Sequence, residues 1–168
     1  LLIKKNIDFE AVIGDMDSIK KKFKKNKSIK KIHIKEQNTT DLQKCLNIID
    51  CPTIIGLGFL DKRLDHSLAS ITAISGFHKA KRVILIGKND IVIWVDRGWS
   101  CKLPIRTRIS IWPLGKQKFI NSIGLEWSLK DLTLDPINLI GTSNQTNELE
   151  IKIFPEKNYR PKYVTLFP

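Results

Sequence analysis

The chain has 168 residues, of which 42% are hydrophobic, and its formal net charge at pH 7 is +12. This length allows one domain or two small ones. The absence of a run of about 18 apolar residues argues against a membrane-spanning helix, and the N-terminus is too short for a signal peptide. Three cysteines without a CxxC spacing indicate neither a disulfide framework nor a zinc site. We therefore expect a soluble cytoplasmic protein without a membrane partner.

Much of the positive charge lies in one lysine-rich stretch, residues 20–27. This stretch contains a single aromatic residue, Phe23, and no arginine, so it indicates neither base stacking nor bidentate base recognition. A solvated helix face, or a positive field that attracts a nucleotide, explains the charge more economically. A basic nucleic-acid-binding module remains the disfavoured alternative.

The first half of the chain alternates between predicted strands and helices. The strands are indicated by short apolar runs or apolar–polar alternation, and the helices by apolar residues at helical spacing. The predicted strands cover residues 9–13, 29–35, 53–58 and 83–86, and the predicted helices cover residues 18–25, 40–49 and 65–77. This order is typical of a parallel sheet covered by helices. We therefore predict a parallel-sheet α/β nucleotide domain over residues 1–87.

From residue 88 onward the pattern changes to short strands separated by Pro, Gly and Asn turns. The predicted strands cover residues 90–95, 99–103, 107–112, 124–129, 132–134, 137–140, 149–154 and 163–167. Because no helical periodicity interrupts them, we predict an all-β sandwich or barrel over residues 88–168.

Acidic residues follow the first predicted strand. Asp15 and Asp17 are spaced i, i+2, and two carboxylates in such a loop can converge on one hard cation, usually Mg²⁺ in a phosphate site. The alternative is structural: Gly14 makes a tight turn and Asp17 or Ser18 caps the next helix. Asp41 begins a later helix, where it is either a capping residue or a third metal ligand. Since the carboxyl ends of parallel strands meet at one sheet edge, this placement favours the metal site.

A further polar segment precedes the predicted helix 65–77. Arg63 is suited to phosphate oxygens, and Asp65 to a metal or a ribose, at the start of a helix. The alternative is a surface ion pair in which Asp65 caps the helix. The glycines at 56 and 58 open like a dinucleotide-binding loop, but Asp61 occupies the position of its third glycine. The chain has no Ser/His/Asp nucleophile set and no Walker-type loop.

Five segments resemble the motifs of the thiamine pyrophosphokinase family and occur in the same order. They are residues 14–18 (GDMDS), 36–41 (EQNTTD), 63–71 (RLDHSLASI), 124–129 (GLEWSL) and 142–144 (TSN). The corresponding family segments are GDxDS, DQDxTD, GGRLDHxLANI, GLxWxL and TSN. The resemblance therefore extends over both halves of the chain.

This resemblance implies an α/β nucleotide domain followed by a β-sandwich, a homodimer, and thiamine bound between the subunits. It also implies Mg²⁺-dependent transfer of pyrophosphate from ATP to the hydroxyl of thiamine, with release of AMP. The implied metal ligands are Asp15, Asp17 and Asp41, and the implied catalytic set adds Arg63 and Asp65. The implied contacts to ATP are Gln37, Thr40, Arg63 and Asp65. The implied contacts to thiamine are Trp127, Ser143 and Asn144, although a buried sandwich position would equally explain Trp127.

The sequence departs from the family pattern at identifiable positions. Asp61 and Lys62 replace glycines before Arg63, and Asn38 replaces an acidic residue. The family's first strand and nucleotide loop have no counterpart before Asp15, so we expect either a longer protein or a trimmed fold. Two related alternatives remain. One, which concerns the thiamine contacts, is a pyrophosphokinase for another alcohol. The other, indicated by Asp61, Lys62 and Asn38, is a homologue that binds nucleotide or thiamine without turnover.

Overall fold

The computed structural model describes residues 8–16, 29–60, 63–76, 79–157 and 160–168. Its helices are α1 (Asp41–Ile48) and α2 (Leu64–Gly76). Its strands are β1 (Ala11–Gly14), β2 (Lys30–His33), β3 (Thr53–Leu57), β4 (Arg82–Ile86), β5 (Ile91–Val95), β6 (Trp99–Lys102), β7 (Arg108–Pro113), β8 (Gln117–Ile123), β9 (Thr133–Leu134), β10 (Gly141–Gln145), β11 (Glu150–Pro155) and β12 (Tyr163–Phe167). The helix predicted for residues 18–25 lies outside the described residues. Within them, neither helix is long and apolar enough to cross a membrane.

The chain divides into two compact units, residues 1–49 and 50–168. In the first unit β1 and β2 pair in parallel, and α1 packs on β1. A capping box begins α1: the Thr40 hydroxyl accepts a hydrogen bond from the backbone N–H of Gln43, whose side chain accepts one from the backbone N–H of Thr40. This box fixes the point at which Asp41 enters the helix.

The second unit contains two β-sheets. A six-stranded sheet has the order β10-β7-β12-β5-β4-β3, and a four-stranded sheet has the order β6-β11-β8-β9. Among the described strands of the six-stranded sheet, β3 and β4 form the single parallel pair, and the remaining neighbours are antiparallel. The second unit is therefore built on a mixed sheet and an antiparallel sheet.

The predicted fold class, a parallel α/β domain followed by an all-β domain, is wrong. The parallel pairs β1·β2 and β3·β4 belong to different sheets, and β5 continues the second of them in antiparallel orientation. The physical cause is the turn after β4, where the backbone N–H of Gly87 donates to the carbonyl of Asp90 at 2.9 Å and closes a hairpin. The assignment of separate functional domains to residues 1–87 and 88–168 stays a prediction.

Most short strands of the second half lie where the sequence predicts them, with two exceptions. Residues 124–129 and 137–140 are largely loop, whereas β8 and β10 occupy neighbouring residues. In β8 the buried positions include Gln117, Phe119 and Ser122, so polar residues mask the alternation. Leu125 and Leu129 are buried although they lie outside strands, which explains why their segment mimics one.

The main core of the second unit is a cluster of twelve buried residues drawn from both sheets. At its centre the rings of Phe119 and Tyr163 meet edge to face, with centroids 5.0 Å apart. Three buried polar atoms have no hydrogen-bond partner among the described residues: Trp99 Nε1, Tyr163 Oη and Thr165 Oγ1. An unpartnered buried hydroxyl opposes folding, because water hydrates it in the unfolded chain.

We expect Tyr163→Phe to raise the free energy of unfolding at neutral pH by about 1 kcal/mol, because it removes the unpartnered hydroxyl and keeps the ring. Urea denaturation of both proteins measures the difference. Phe119→Ala is the matched control for the same ring pair, and its cavity should lower the free energy of unfolding by about 3–5 kcal/mol. A destabilised Tyr163→Phe protein would show that the hydroxyl has a partner after all.

The same substitution should also change the alkaline pH dependence of stability. Burial raises the pKa of Tyr163 above its ordinary value, so the folded state keeps the phenol neutral while the unfolded state ionises above about pH 10. Above that pH, the wild-type protein should lose about 1.4 kcal/mol more per pH unit than Tyr163→Phe. Parallel slopes for the two proteins between pH 9 and 11, in urea titrations, would contradict this expectation.

Candidate functional site

At the carboxyl end of β1, Asp41 lies against Gly14, the residue that precedes Asp15. Gly14 has φ +147°, and a Cβ at this position would lie 3.2 Å from Asp41 Oδ1. The Asp41 carboxylate therefore packs against the Gly14 backbone, and Asp15 is the next residue along the chain. A side chain at position 14 would crowd the Asp41 carboxylate and would be strained at this φ.

Polar side chains hold both carboxylates in place. The Gln37 amide donates to Asp15 Oδ2 at 3.5 Å, and Lys44 Nζ lies 4.0 Å from Asp41 Oδ1. The Lys44 side chain is only 3% exposed, whereas that of Asp41 is 72% exposed. The sequence interpretation overlooked Lys44, although its i, i+3 spacing from Asp41 on a helix was a visible signal.

The loop before α1 is ordered by Glu36. Its carboxylate accepts hydrogen bonds from the backbone N–H groups of Asn38 and Thr39, at 2.8 and 3.0 Å, and from the Thr39 hydroxyl. The bond from the Thr39 hydroxyl is the main cause that lowers the pKa of Glu36. Since the Thr40 hydroxyl is engaged in the capping box, the structure gives this predicted ATP contact a structural role.

The donor set at the end of β1 suits magnesium in part. Asp15 and Asp41 supply two carboxylates, and Mg²⁺ in phosphate sites is commonly held by one or two carboxylates together with substrate phosphate oxygens. Asp17, the third predicted ligand, lies outside the described residues. Within the described residues no three His, Cys, Asp or Glu side chains cluster as metal ligands, so the three-carboxylate site stays a prediction.

Arg63 and Asp65 form a bidentate ion pair at the start of α2. Arg63 Nε lies 3.1 Å from Asp65 Oδ1, and Arg63 Nη2 lies 2.5 Å from Asp65 Oδ2. This pairing raises the pKa of Arg63 and lowers that of Asp65. The predicted structural alternative, a surface ion pair, is therefore present. Both side chains are more than half exposed, so the guanidinium remains accessible to an anion.

A cavity of about 230 Å³ lies beside this pair, between the end of β3 and the first turns of α2. Arg63, Gly58 and His66 line it together with Ser67 and Ser70. The two serine hydroxyls donate to the carbonyls of residues four positions earlier in the chain, which leaves their lone pairs as acceptors. Asp61 and Lys62, the two departures from the family pattern, lie outside the described residues.

The predicted thiamine contacts meet around a buried amide. Asn144 is 6% exposed; its Oδ1 accepts from the backbone N–H of Trp127 at 3.1 Å, and its Nδ2 donates to the Trp127 carbonyl at 2.7 Å. The Trp127 ring is 60% exposed, so the alternative of a buried sandwich tryptophan is wrong. Ser143 is also exposed and has φ +59°. Asn144 thus fixes the loop that presents Trp127.

The described site residues therefore form three local groups: Asp15 with Asp41 and Gln37, Arg63 with Asp65, and Trp127 with Ser143 and Asn144. Each group contains an accessible charged or aromatic side chain. In the first two groups hydrogen bonds or ion pairs fix the carboxylates, and in the third they fix the backbone of Trp127. Each group, taken by itself, offers an accessible side chain on a fixed support, as binding sites do.

Comparisons with known proteins identify the family. The thiamin pyrophosphokinase catalytic domain matches residues 1–86. Thiamin pyrophosphokinase 1 of Caenorhabditis elegans is 30% identical, over 83% of this chain and 63% of its own length. Thiamine pyrophosphokinase 1 of Oryza sativa subsp. japonica is 27% identical, over 86% of this chain and 61% of its own. The chain thus spans about three fifths of the length of these curated relatives.

Solved structures show the same fold. Thiamine pyrophosphokinase from Bacillus subtilis superposes with a TM-score of 0.77 at 18% identity, covering 99% of this chain and 81% of that one. The Candida albicans enzyme gives a TM-score of 0.76 at 16% identity, covering 98% and 74%. With the catalytic-domain match extending over half of the sequence, the family resemblance is confirmed, and the chain belongs to the thiamin pyrophosphokinase family.

Proposed function

We propose that this chain is a thiamine diphosphokinase that transfers the terminal diphosphate of ATP to the hydroxyl of thiamine, with Mg²⁺ as cofactor. Family membership supports the reaction class. The observation that carries the proposal is the Asp15–Gly14–Asp41 arrangement, because two accessible carboxylates at one strand end suit a metal–polyphosphate complex.

In this reaction the hydroxyl oxygen of thiamine attacks the β-phosphorus, the bond from that phosphorus to the α–β bridging oxygen breaks, and AMP leaves. A carboxylate of the site accepts the proton of the hydroxyl. Bound Mg²⁺ would offset the negative charge of the phosphates. The protein's main tasks are therefore to position two substrates and to compensate charge.

Each group of side chains has a task in this scheme. Asp15 and Asp41, with Asp17 outside the described residues, would hold Mg²⁺, while Gln37 orients Asp15. Arg63 would exchange part of its pairing with Asp65 for phosphate oxygens, since the pair is exposed and phosphate is an equally good bidentate partner. Asp65, once released, would orient the nucleotide.

Thiamine would be held by the exposed group around Trp127. The cationic thiazolium and the flat pyrimidine suit an aromatic face, and Ser143 offers a hydroxyl beside it. Asn144 acts through the backbone of Trp127 and is a positioning residue. We propose that the working unit is a homodimer in the cytoplasm, with this group facing the partner. The free thiols Cys45, Cys51 and Cys101 fit a reducing compartment.

A second candidate function is binding without turnover. The observation that favours it is the closed Arg63–Asp65 pair, which ties the phosphate-binding arginine to a carboxylate. Mass spectrometry of the products after incubation with ATP, Mg²⁺ and thiamine separates the two. Thiamine diphosphate and AMP in equal amounts indicate an enzyme, and unchanged substrates indicate a binding protein.

Asp15→Asn should reduce Mg²⁺-dependent release of AMP by about 100-fold or more, because it removes one charge from the proposed metal site and keeps the shape of the side chain. Product formation is measured at saturating ATP and thiamine. The matched control is Asp131→Asn, an exposed residue at φ +56°, a conformation that asparagine also adopts. Asp131→Asn should keep full activity; full activity in Asp15→Asn would refute the metal assignment.

Trp127→Ala should raise KM for thiamine by about tenfold, because it removes an aromatic face for the cationic ring, and should leave KM for ATP unchanged. Trp127→Phe keeps a face and should restore most of the affinity. Trp112, a partly exposed tryptophan on β7, provides the control variant Trp112→Ala. If both KM values rise equally in Trp127→Ala, the ring supports the fold instead of contacting thiamine.

A further inference from the structure

A second, larger cavity lies elsewhere in the unit of residues 50–168. Its volume is about 750 Å³, and it is bounded by the segment before β4, the β5–β6 turn and the end of β11. Five cationic side chains line it: Lys79, Lys81, Arg97, Lys157 and Arg160. None of the residues assigned above to the metal, ATP or thiamine belongs to its lining.

This cavity and the Arg63 cavity lie at opposite ends of the parallel strand pair β3·β4. Lys81 directly precedes β4, whose first residue, Arg82, is opposite Thr53 at the start of β3. The Arg63 cavity begins at Gly58, just after the end of β3. The paired part of the two strands is five residues long, so its two ends are about 13 Å apart along the strands. The basic cavity is therefore a separate site.

The charge of the basic cavity is only partly compensated. Its two carboxylates already have cationic partners: Asp96 Oδ2 lies 3.9 Å from Arg97 Nε, and Glu156 Oε1 lies 3.3 Å from Lys118 Nζ. No ion pair among the described residues involves Lys79, Lys81 or Lys157. A concave surface with this excess of cations concentrates anions.

One of the cations is fixed by aromatic stacking. Arg160 Cζ lies 5.0 Å from the centroid of a Trp94 ring, and Trp94 Nε1 donates to the carbonyl of Pro161 at 3.1 Å. Because Trp94 is fully buried, these two contacts anchor Arg160 and Pro161. Arg160 is only partly exposed, and this partial burial lowers its pKa. A partly desolvated, stacked guanidinium loses little more on binding an anion.

The cavity also has an apolar wall. Ile120 on β8 is 50% exposed and Phe154 on β11 is 39% exposed, while the preceding residues Phe119 and Ile153 are buried in the core. Strand alternation therefore places Ile120 and Phe154 on the outer face of adjacent strands. An exposed aromatic ring beside several cations suits a ligand that carries both a flat ring and phosphate groups.

We propose that this basic cavity is a second nucleotide site, which binds a nucleoside phosphate with its phosphates on the cations and its base against Phe154. The site does not depend on the diphosphokinase reaction proposed above. Its volume is within the range of small-molecule sites. A phosphate-bearing ligand would gain charge-assisted hydrogen bonds from arginine and lysine, and the base would cover apolar surface.

Isothermal titration with ADP, without divalent metal, tests the site. The double variant Arg97→Gln/Lys157→Gln should lower ADP affinity by about tenfold or more, since it removes two charged donors. The matched control, Lys102→Gln/Lys130→Gln, changes the net charge equally at two exposed lysines outside the cavity. It should change the affinity by less than about twofold. Equal losses in the two double variants would overturn the proposal, because they would reflect net charge alone.

The apolar wall has its own test. Phe154→Ala should weaken ADP binding and leave pyrophosphate binding unchanged, whereas Leu149→Ala, at another exposed apolar residue, should weaken neither. ADP that binds no more tightly than pyrophosphate would overturn the nucleotide assignment. A short single-stranded oligonucleotide that binds more tightly than ADP, and loses that advantage in Arg97→Gln/Lys157→Gln, would instead assign the cavity to nucleic acid.

Arg63→Gln separates this proposal from the diphosphokinase site. ADP binding to the basic cavity should persist in Arg63→Gln with unchanged affinity and the same sensitivity to Phe154→Ala. Loss of all ADP binding in Arg63→Gln would show that the Arg63 cavity is the nucleotide site and would refute the second one. Failure of the diphosphokinase assay with ADP binding retained would leave the basic cavity supported.

Discussion

The hydrogen-bonded register of β4 is the constraint on which the second unit depends. Strand β4 pairs in parallel with β3 on one edge and in antiparallel with β5 on the other, and its residues Val83 and Leu85 are fully buried. This strand thereby joins the helix-bearing segment of residues 50–86 to the antiparallel strands that follow. The end of β3 opens onto the Arg63 cavity, and the start of β4 opens onto the basic cavity. A shift of one residue in this register would turn the buried face of β4 toward solvent and would displace the residues that line both cavities.

The candidate site places accessible groups on supports that are themselves buried or hydrogen-bonded. Asn144, nearly inaccessible to solvent, fixes the backbone on both sides of the exposed Trp127 ring. Glu36 orders the loop that leads to the cap of α1, and the cap in turn places Asp41. A supporting residue of this kind confines a side chain to a productive geometry without contacting the ligand. The polar residues of the family motifs therefore include supports, such as Glu36 and Asn144, beside accessible groups such as Asp41.

The sequence predicts local elements and family motifs better than it predicts how strands assemble. Strands such as β3, β4 and β5 follow from continuous apolar runs, and α1 follows from its cap and helical spacing. The turn after β4 could not be distinguished from a domain boundary, because its residues, from Gly87 to Asp90, suit a linker as well as a hairpin. Strand β8 was missed because polar residues occupy buried positions in it. Hydrogen bonds between distant segments decide such cases, and they leave no periodic signal.

Lys44 shows what motif reading leaves out at the site itself. A lysine that is almost entirely buried is costly unless a nearby negative charge compensates it. Lys44 Nζ lies 4.0 Å from Asp41 Oδ1, and its charge also helps to lower the pKa of Glu36. The Asp41 carboxylate packs against Gly14, and Asp15 is the next residue along the chain, so both belong to the end of β1. The Lys44 ammonium supplies positive charge beside Asp41 from within the same unit. Motif reading therefore finds the two carboxylates and misses the buried cation beside one of them.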